Sequence, residues 1–335
     1  MKKMFYSFCL FILFFYSFAA MAGISPELLG AVDHIYNGSF STAKTTIDSH
    51  IAAHPDDPAG YILKGIANEW YQVVRNKGKA LNTAIMEDYQ KARELATTAL
   101  EKDKANLELK ALLGNAYMYI AKKQLDGGHK VQAGASLKKS KELMLEVVAK
   151  DPNNVQAYFA IGLFNYFAAE VPAGFKWLAM LLGFNGDSEK GLSYIKKAIT
   201  APNLSQGDAL FMLIYIYSQK RGDYKSALVY ASQLYNKYPD NHVFLFDLAE
   251  MQHRTKDKIN ARANFTKFFQ CCEKNPSYCN QKYTFLANYF MTWSYMDDKD
   301  HENAKKYIGE AVKLNTKKYK DRTADLEKWG AMIGK

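Results

Sequence analysis

The chain has 335 residues, 48% of them hydrophobic and 23% charged, with a formal net charge of +10. Its lysines are dispersed in short runs such as AKKQ, KKSKE, IKKAI and KKYKDR; this reads as solvated helix faces, without the clustered stripe that nucleic-acid binding requires. The phosphate loop G-x-x-x-x-G-K-[ST], the dinucleotide fingerprint G-x-G-x-x-G and the G-x-S-x-G elbow are all missing, which removes the enzyme classes built on them.

At the N-terminus, Lys2 and Lys3 precede an apolar run from Met4 to Phe18 and a small-x-small site, Ala20-Met21-Ala22. This pattern predicts a secretory signal peptide over residues 1–22, with Gly23 first in the mature chain, and export to the periplasm of a Gram-negative bacterium. The competing reading is an uncleaved N-terminal anchor, because the run approaches the lower limit of about 17 residues for a bilayer span. The serines that interrupt the run favour cleavage, and no cysteine stands where a lipoprotein needs one. Loss of Lys2 and Lys3 lowers the charge to +8, and a basic exported protein meets anionic head groups, lipopolysaccharide, acidic peptides or acidic glycans.

From residue 23 onward, small residues recur in phase. Ala43 in NGSFSTA stands twelve residues before Pro55, and Ala227 in RGDYKSA stands twelve before Pro239. Ala92, Ala261 and Ala304 keep the same register, and Ala227 and Ala261 lie 34 residues apart. Gly114 in LKALLGNAYMY and Gly162 in AYFAIGLFNYF mark the first helix of a unit, with Gly65 and Ala249 as weaker copies. Glycine inside a helix costs roughly 1 kcal/mol against alanine, so its use here predicts close helix approach.

This pattern resembles the tetratricopeptide repeat family over residues 24–316, in about seven units. The resemblance implies an all-α fold: a right-handed α-solenoid of TPR-like helix-turn-helix repeats spanning 23–316, with expanded repeats, an apolar insertion, and a C-terminal capping helix over 317–335. Gly65 to Gly114 is 49 residues and Gly114 to Gly162 is 48, which predicts lengthened helices in the second and third units.

The insertion spans residues 171–187. Pro172 and Gly174 break the preceding helix, FKWLAMLLGF is apolar, and Gly183, Gly186 and Asp187 mark the return. With Phe175, Trp177, Leu181 and Phe184 it reads as a buried plug, a wedge at a membrane surface, or a gate over an apolar ligand; burial is favoured because exposed, it would be an aggregation liability. Similar insertions recur in larger repeat proteins, bacterial exported and mitochondrial outer-membrane members among them.

Cys271, Cys272 and Cys279 remain after processing. In an oxidising compartment an odd count predicts one disulfide, Cys279 to one of the vicinal pair, acting as a structural staple. His50 and His54 are four apart, but His54 precedes Pro55, which disfavours helical geometry there, and they read as surface histidines without a metal. Nothing nominates a catalytic residue or a cofactor.

In the resembled family, first helices line a concave face that binds peptides, and one subgroup clamps a C-terminal carboxylate there. At the corresponding positions this chain offers Ala111 with Asn115, Phe159 with Leu163, Met212 with Ile216, Phe246 with Glu250, and Tyr289 with Trp293. A carboxylate clamp is therefore not expected. Met118 and Tyr166 lie one turn further, and the resulting aromatic, methionine-rich surface is either a partner groove or packing against the inserted segments. The expectation is a non-enzymatic exported scaffold or adaptor for a protein or peptide partner; the alternative is a carrier or sensor for a hydrophobic small molecule or lipid, associated with a transport system.

Overall fold

A computed structural model describes residues 24–75, 77–171, 183, 185–276, 280–314 and 319–334. Residues 1–23, Phe175, Trp177, Leu181, Phe184 and Cys279 lie outside them, and with them the signal peptide and the apolar heart of the insertion.

The described residues form fifteen α-helices and no strand. In chain order they are α1 (Pro26–Tyr36), α2 (Phe40–Ala53), α3 (Pro58–Val74), α4 (Asn82–Lys102), α5 (Leu107–Asp126), α6 (Lys130–Lys150), α7 (Val155–Ala169), α8 (Ser188–Ala198) and α9 (Gln206–Tyr215). There follow a π turn (Ile216–Lys220), α10 (Tyr224–Lys237), α11 (His242–Arg254), α12 (Lys258–Lys274), α13 (Gln281–Asp297), α14 (His301–Lys313) and α15 (Lys320–Ile333). Successive pairs pack as hairpins, each second helix leans on the next first helix, and α15 lies against α13 and α14.

The starts of these helices are written locally. Side chains of Ser25, Asp57, Asn106, Asp187, Asp223, Asn241, Asp257, Asn280 and Asp300 each accept a backbone N–H of the first turn. Proline opens α1 and α3, where its fixed φ suits the first turn and its missing N–H costs nothing. The repeat alanines Ala43, Ala92, Ala227, Ala261 and Ala304 are all buried, as their register predicts. The second and third hairpins are the long ones: α4, α5 and α6 have 21, 20 and 21 residues, against 11 and 14 in α1 and α2.

The recurring spacing of small residues has the expected cause. A Cβ on Gly65 would stand 2.3 Å from the Tyr89 ring, and one on Gly162 would stand 2.9 Å from the carbonyl oxygen of Gly191. Each glycine lets the second helix of its own hairpin lie flush against the first.

What the repeat spacing did not reveal is that the array closes on itself. The C-terminal end of α1 meets the start of α9 and the α10–α11 turn, more than 160 residues later. Tyr36 is fully buried, with its ring centroid 5.4 Å from those of both Trp70 and Tyr238. Its hydroxyl accepts the backbone N–H of Asp208 at 3.2 Å, and its carbonyl accepts Asn241 Nδ2 at 2.7 Å. Gly207 is required here, since a Cβ would stand 2.4 Å from the Tyr36 ring. A reciprocal pair seals the rim: Asn37 Nδ2 donates to Asp240 Oδ2 at 2.8 Å, and the Asp240 N–H donates back to Asn37 Oδ1 at 3.0 Å.

Candidate functional site: an apolar cavity on the inner face

Closure changes what the inner face can be. Trp70 of α3 packs on Phe211 of α9 and Phe244 of α11, with centroids 5.4 and 5.3 Å away. Tyr119 of α5 reaches Ser205 and Asp208 at 3.0 and 2.8 Å. The inner faces of early and late hairpins are therefore in direct contact, and much of the inner face, which the sequence left between a partner groove and packing, is filled by the chain's own side chains.

The residues nominated as partner-facing divide by exposure. Ala111, Asn115, Met118, Phe159, Tyr166, Ile216, Phe246 and Tyr289 are buried, while Leu163, Met212, Glu250 and Trp293 remain partly exposed. The reasons differ by residue. Tyr166 backs onto α8, where Gly191 presses on its backbone, and Phe246 points into α12 and α13, near Phe265, Phe268 and Tyr283. Tyr289 is covered by α15: its hydroxyl donates to Asp325 Oδ2 at 2.8 Å and its ring lies 5.6 Å from Trp329. Asn115 is fully buried and neither amide atom has a hydrogen-bond partner.

Among the described residues, one part of the inner face stays open. Between α3, α5, α7 and α9 lies a cavity of about 620 Å³, and four of the sequence-nominated residues, Met118, Phe159, Leu163 and Met212, line it. The rest of its apolar wall comes from Trp70, Leu137, Phe164 and Phe211, with Ala168 and Val171 at the end that leads into the insertion. Its mouth is rimmed by apolar side chains that stand in water, Val73 at 40%, Leu125 at 51% and Phe167 at 38% exposure.

One end of this cavity is polar. Trp70 Nε1 donates to Asp208 Oδ1 at 3.0 Å and the Tyr119 hydroxyl donates to Asp208 Oδ2 at 2.8 Å. Asp208 sits in the first turn of α9, where the helix dipole favours a negative charge. Glu69 pairs with Lys122, whose side chain is half exposed at the mouth. Burial depresses the Lys122 ammonium, but Glu69 and then Asp208 more than offset it and hold the group above the ordinary lysine range. Burial, with Asp208 adding to it, pushes the Tyr119 hydroxyl far up, so it stays protonated and serves as a donor.

The sequence reading missed Glu69, Trp70, Tyr119, Lys122 and Asp208. They come from three helices spread over more than 130 residues, and only closure assembles them. Elsewhere, His50 Nε2 bonds Asp57 Oδ2 at 2.7 Å, tying the end of α2 to the start of α3. No cluster of His, Cys, Asp and Glu suited to a metal ion occurs among the described residues. Cys271 is a free thiol and Cys272 is buried near the end of α12. No described helix is long and apolar enough to cross a membrane.

Hairpins stacked in this way define a helical-repeat protein of the tetratricopeptide type. Residues 154–270, about a third of the chain, match the model of the Iml2/Tetratricopeptide repeat protein 39 family. Among solved structures the chain is similar to a signal-transduction ATPase with a tetratricopeptide repeat sensor from Pyrococcus horikoshii, at 17% identity and a TM-score of 0.50, covering 90% of this chain and 42% of that one. It is also similar to the C-terminal part of a TPR repeat-containing protein from Cytophaga hutchinsonii, at 16% identity and a TM-score of 0.42, covering 88% and 98% of the two chains. A third is the Pseudomonas aeruginosa pilF structure, at 14% identity and a TM-score of 0.45, covering 80% and 97%. At such identities the likeness concerns the fold. A search of curated proteins gives no match. What the stacked hairpins and these likenesses establish is a tetratricopeptide-type helical-repeat fold.

Proposed function

We propose that this chain is an exported, non-enzymatic scaffold or adaptor of the cell envelope that grips a protein partner through an apolar anchor. The observation that carries this reading is the cavity with its water-exposed rim of Val73, Leu125 and Phe167, since contiguous apolar surface around a pocket marks a binding site. A partner helix or extended segment would place one large apolar side chain among Leu163, Met212 and Phe211 and rest its flanks on the rim. Export rests on the N-terminal pattern of residues 1–22, and an oxidising setting would pair Cys279 with Cys272, leaving Cys271 reduced.

The test uses the full chain in its own envelope. A photo-crosslinker at Leu125 should capture one partner, and Met212→Glu, which puts a charge in the cavity wall while keeping the fold, should abolish that capture. Unchanged capture by the folded variant would move the interface to the outer face. N-terminal sequencing should begin at Gly23; a chain that keeps residues 1–22 would be anchored instead.

A second reading is favoured by the cavity's size. About 620 Å³ lies inside the roughly 300–1,000 Å³ range of small-molecule sites, and a wall this apolar suits a carrier or sensor for a hydrophobic compound.

A further inference from the structure

We infer that the inner-face cavity takes an apolar molecule bearing one positive charge, a hydrophobic amine or quaternary ammonium, with its cationic end toward Asp208 and Glu69. This rests on the small-molecule reading of the cavity and gives that ligand its chemistry.

The charges at the polar end are unevenly paired. Two carboxylates, Glu69 and Asp208, line the cavity; Glu69 is ion-paired with Lys122 and, at 3.8 Å, with Lys123, which leaves Asp208 as the carboxylate without a paired cation. Asp208 receives only neutral donors, the Trp70 indole and the Tyr119 hydroxyl, and no described basic side chain lies within ion-pairing distance of it. Each carboxylate oxygen has two acceptor sites, so each retains capacity for one more donor. Glu69 is 8% exposed, and its Oε1 accepts no hydrogen bond; its nearest ammonium, Lys123 Nζ, stands 3.8 Å away. A buried acceptor left without a donor is costly, and a cationic ligand would supply what is missing.

The walls agree with this sign. Trp70, Tyr119, Phe159, Phe164 and Phe211 present aromatic rings around the same space, and ring faces attract an ammonium. An anionic amphiphile would bring a third negative charge to this end. A neutral hydrocarbon would fill the apolar wall and leave Glu69 Oε1 unsatisfied.

The experiment is calorimetric titration of the full mature chain with four single-chain probes below their micellar concentrations: dodecyltrimethylammonium, dodecylamine, dodecanol and dodecanoate. The two cations should bind about tenfold or more tighter than dodecanol, and dodecanoate weakest. Asp208→Asn should remove most of that preference while dodecanol binding stays the same, which also reports that the cavity is intact. Should this variant fail to fold, Glu69→Gln, on the other carboxylate, makes the same test. Leu163→Trp should exclude all four probes and so locates the site. If dodecanol or dodecanoate binds as well as the cations, the charge inference is overturned and the apolar cavity reading stands. If no probe binds, both fall.

Discussion

The two ends of the solenoid bury their terminal faces in different ways. At the N-terminal end, α1 is held by distant partners: Tyr36 packs on Trp70 and Tyr238, accepts from Asp208 and Asn241, and lies on the bare backbone of Gly207. At the C-terminal end, α15 is a local cap, with Leu326 buried, Asp325 and Trp329 on Tyr289, and the Arg322 guanidinium over the Tyr289 and Phe290 rings at 5.6 and 5.9 Å. Repeat arrays are usually stabilised by nearest neighbours alone. Here that description fits the last hairpin and its cap α15, whereas the first six hairpins behave as a ring.

This contrast can be broken at several points. Tyr36→Ala should cost about 3–5 kcal/mol, the range for losing a fully buried aromatic, and lower the melting temperature of the whole chain. Hydrogen exchange should then rise in α1, α3, α9 and α11 together; a rise confined to α1 and α2 would show that closure carries no cooperativity. Leu326→Ala should cost about 2–4 kcal/mol but speed exchange only in α13 to α15.

Acid should act on the C-terminal side. Burial, with Arg254 adding to it, pushes the His253 imidazole down to about 4. The unfolded chain takes up this proton near pH 6.5 and the folded one only near 4, so the stability is complete above about 6.5 and is lost as pH falls between them. The full loss is about 3 kcal/mol. Asp247 and Glu250 on the same helix pull the other way, since burial raises both carboxyls and protonation suits their folded state. The clean measurement is the difference between the parent and His253→Gln in urea midpoints at pH 7.5 and pH 4.5. Equal midpoint shifts in the two proteins would remove His253 from the acid response. The smallest effect belongs to the exposed rim of the closure, where Asn37→Ala should cost about 1 kcal/mol and leave exchange in α13 to α15 unchanged.

The repeat register was legible because it is local. Ala43, Ala92, Ala227, Ala261 and Ala304, with Gly65, Gly114 and Gly162, each report contact between two helices of one hairpin, and the two long hairpins follow from the spacing of the glycines. The cavity was half legible: Met118, Phe159, Leu163 and Met212 were nominated from their helix positions, but Glu69, Trp70, Tyr119 and Asp208 were not. Curvature is the sum of a small rotation at every hairpin, and no single residue encodes the sum. Phe246 and Tyr289 show the same limit. Their helix position matched the inner face, yet α12, α13 and α15 occupy the space in front of them.

Gly207 has a consequence for how this chain can change. Arrays of identical units commonly lengthen or shorten by duplicating or deleting a module, because each joint is satisfied by its neighbours. Here Tyr36 must arrive opposite a residue with no side chain, next to a tyrosine and an asparagine that complete its surroundings. Excising one hairpin between α2 and α9 would rotate a different stretch of backbone into that place, and adding one would carry the glycine past it. The number of modules is thereby locked, and variation is channelled into loops and into helix length.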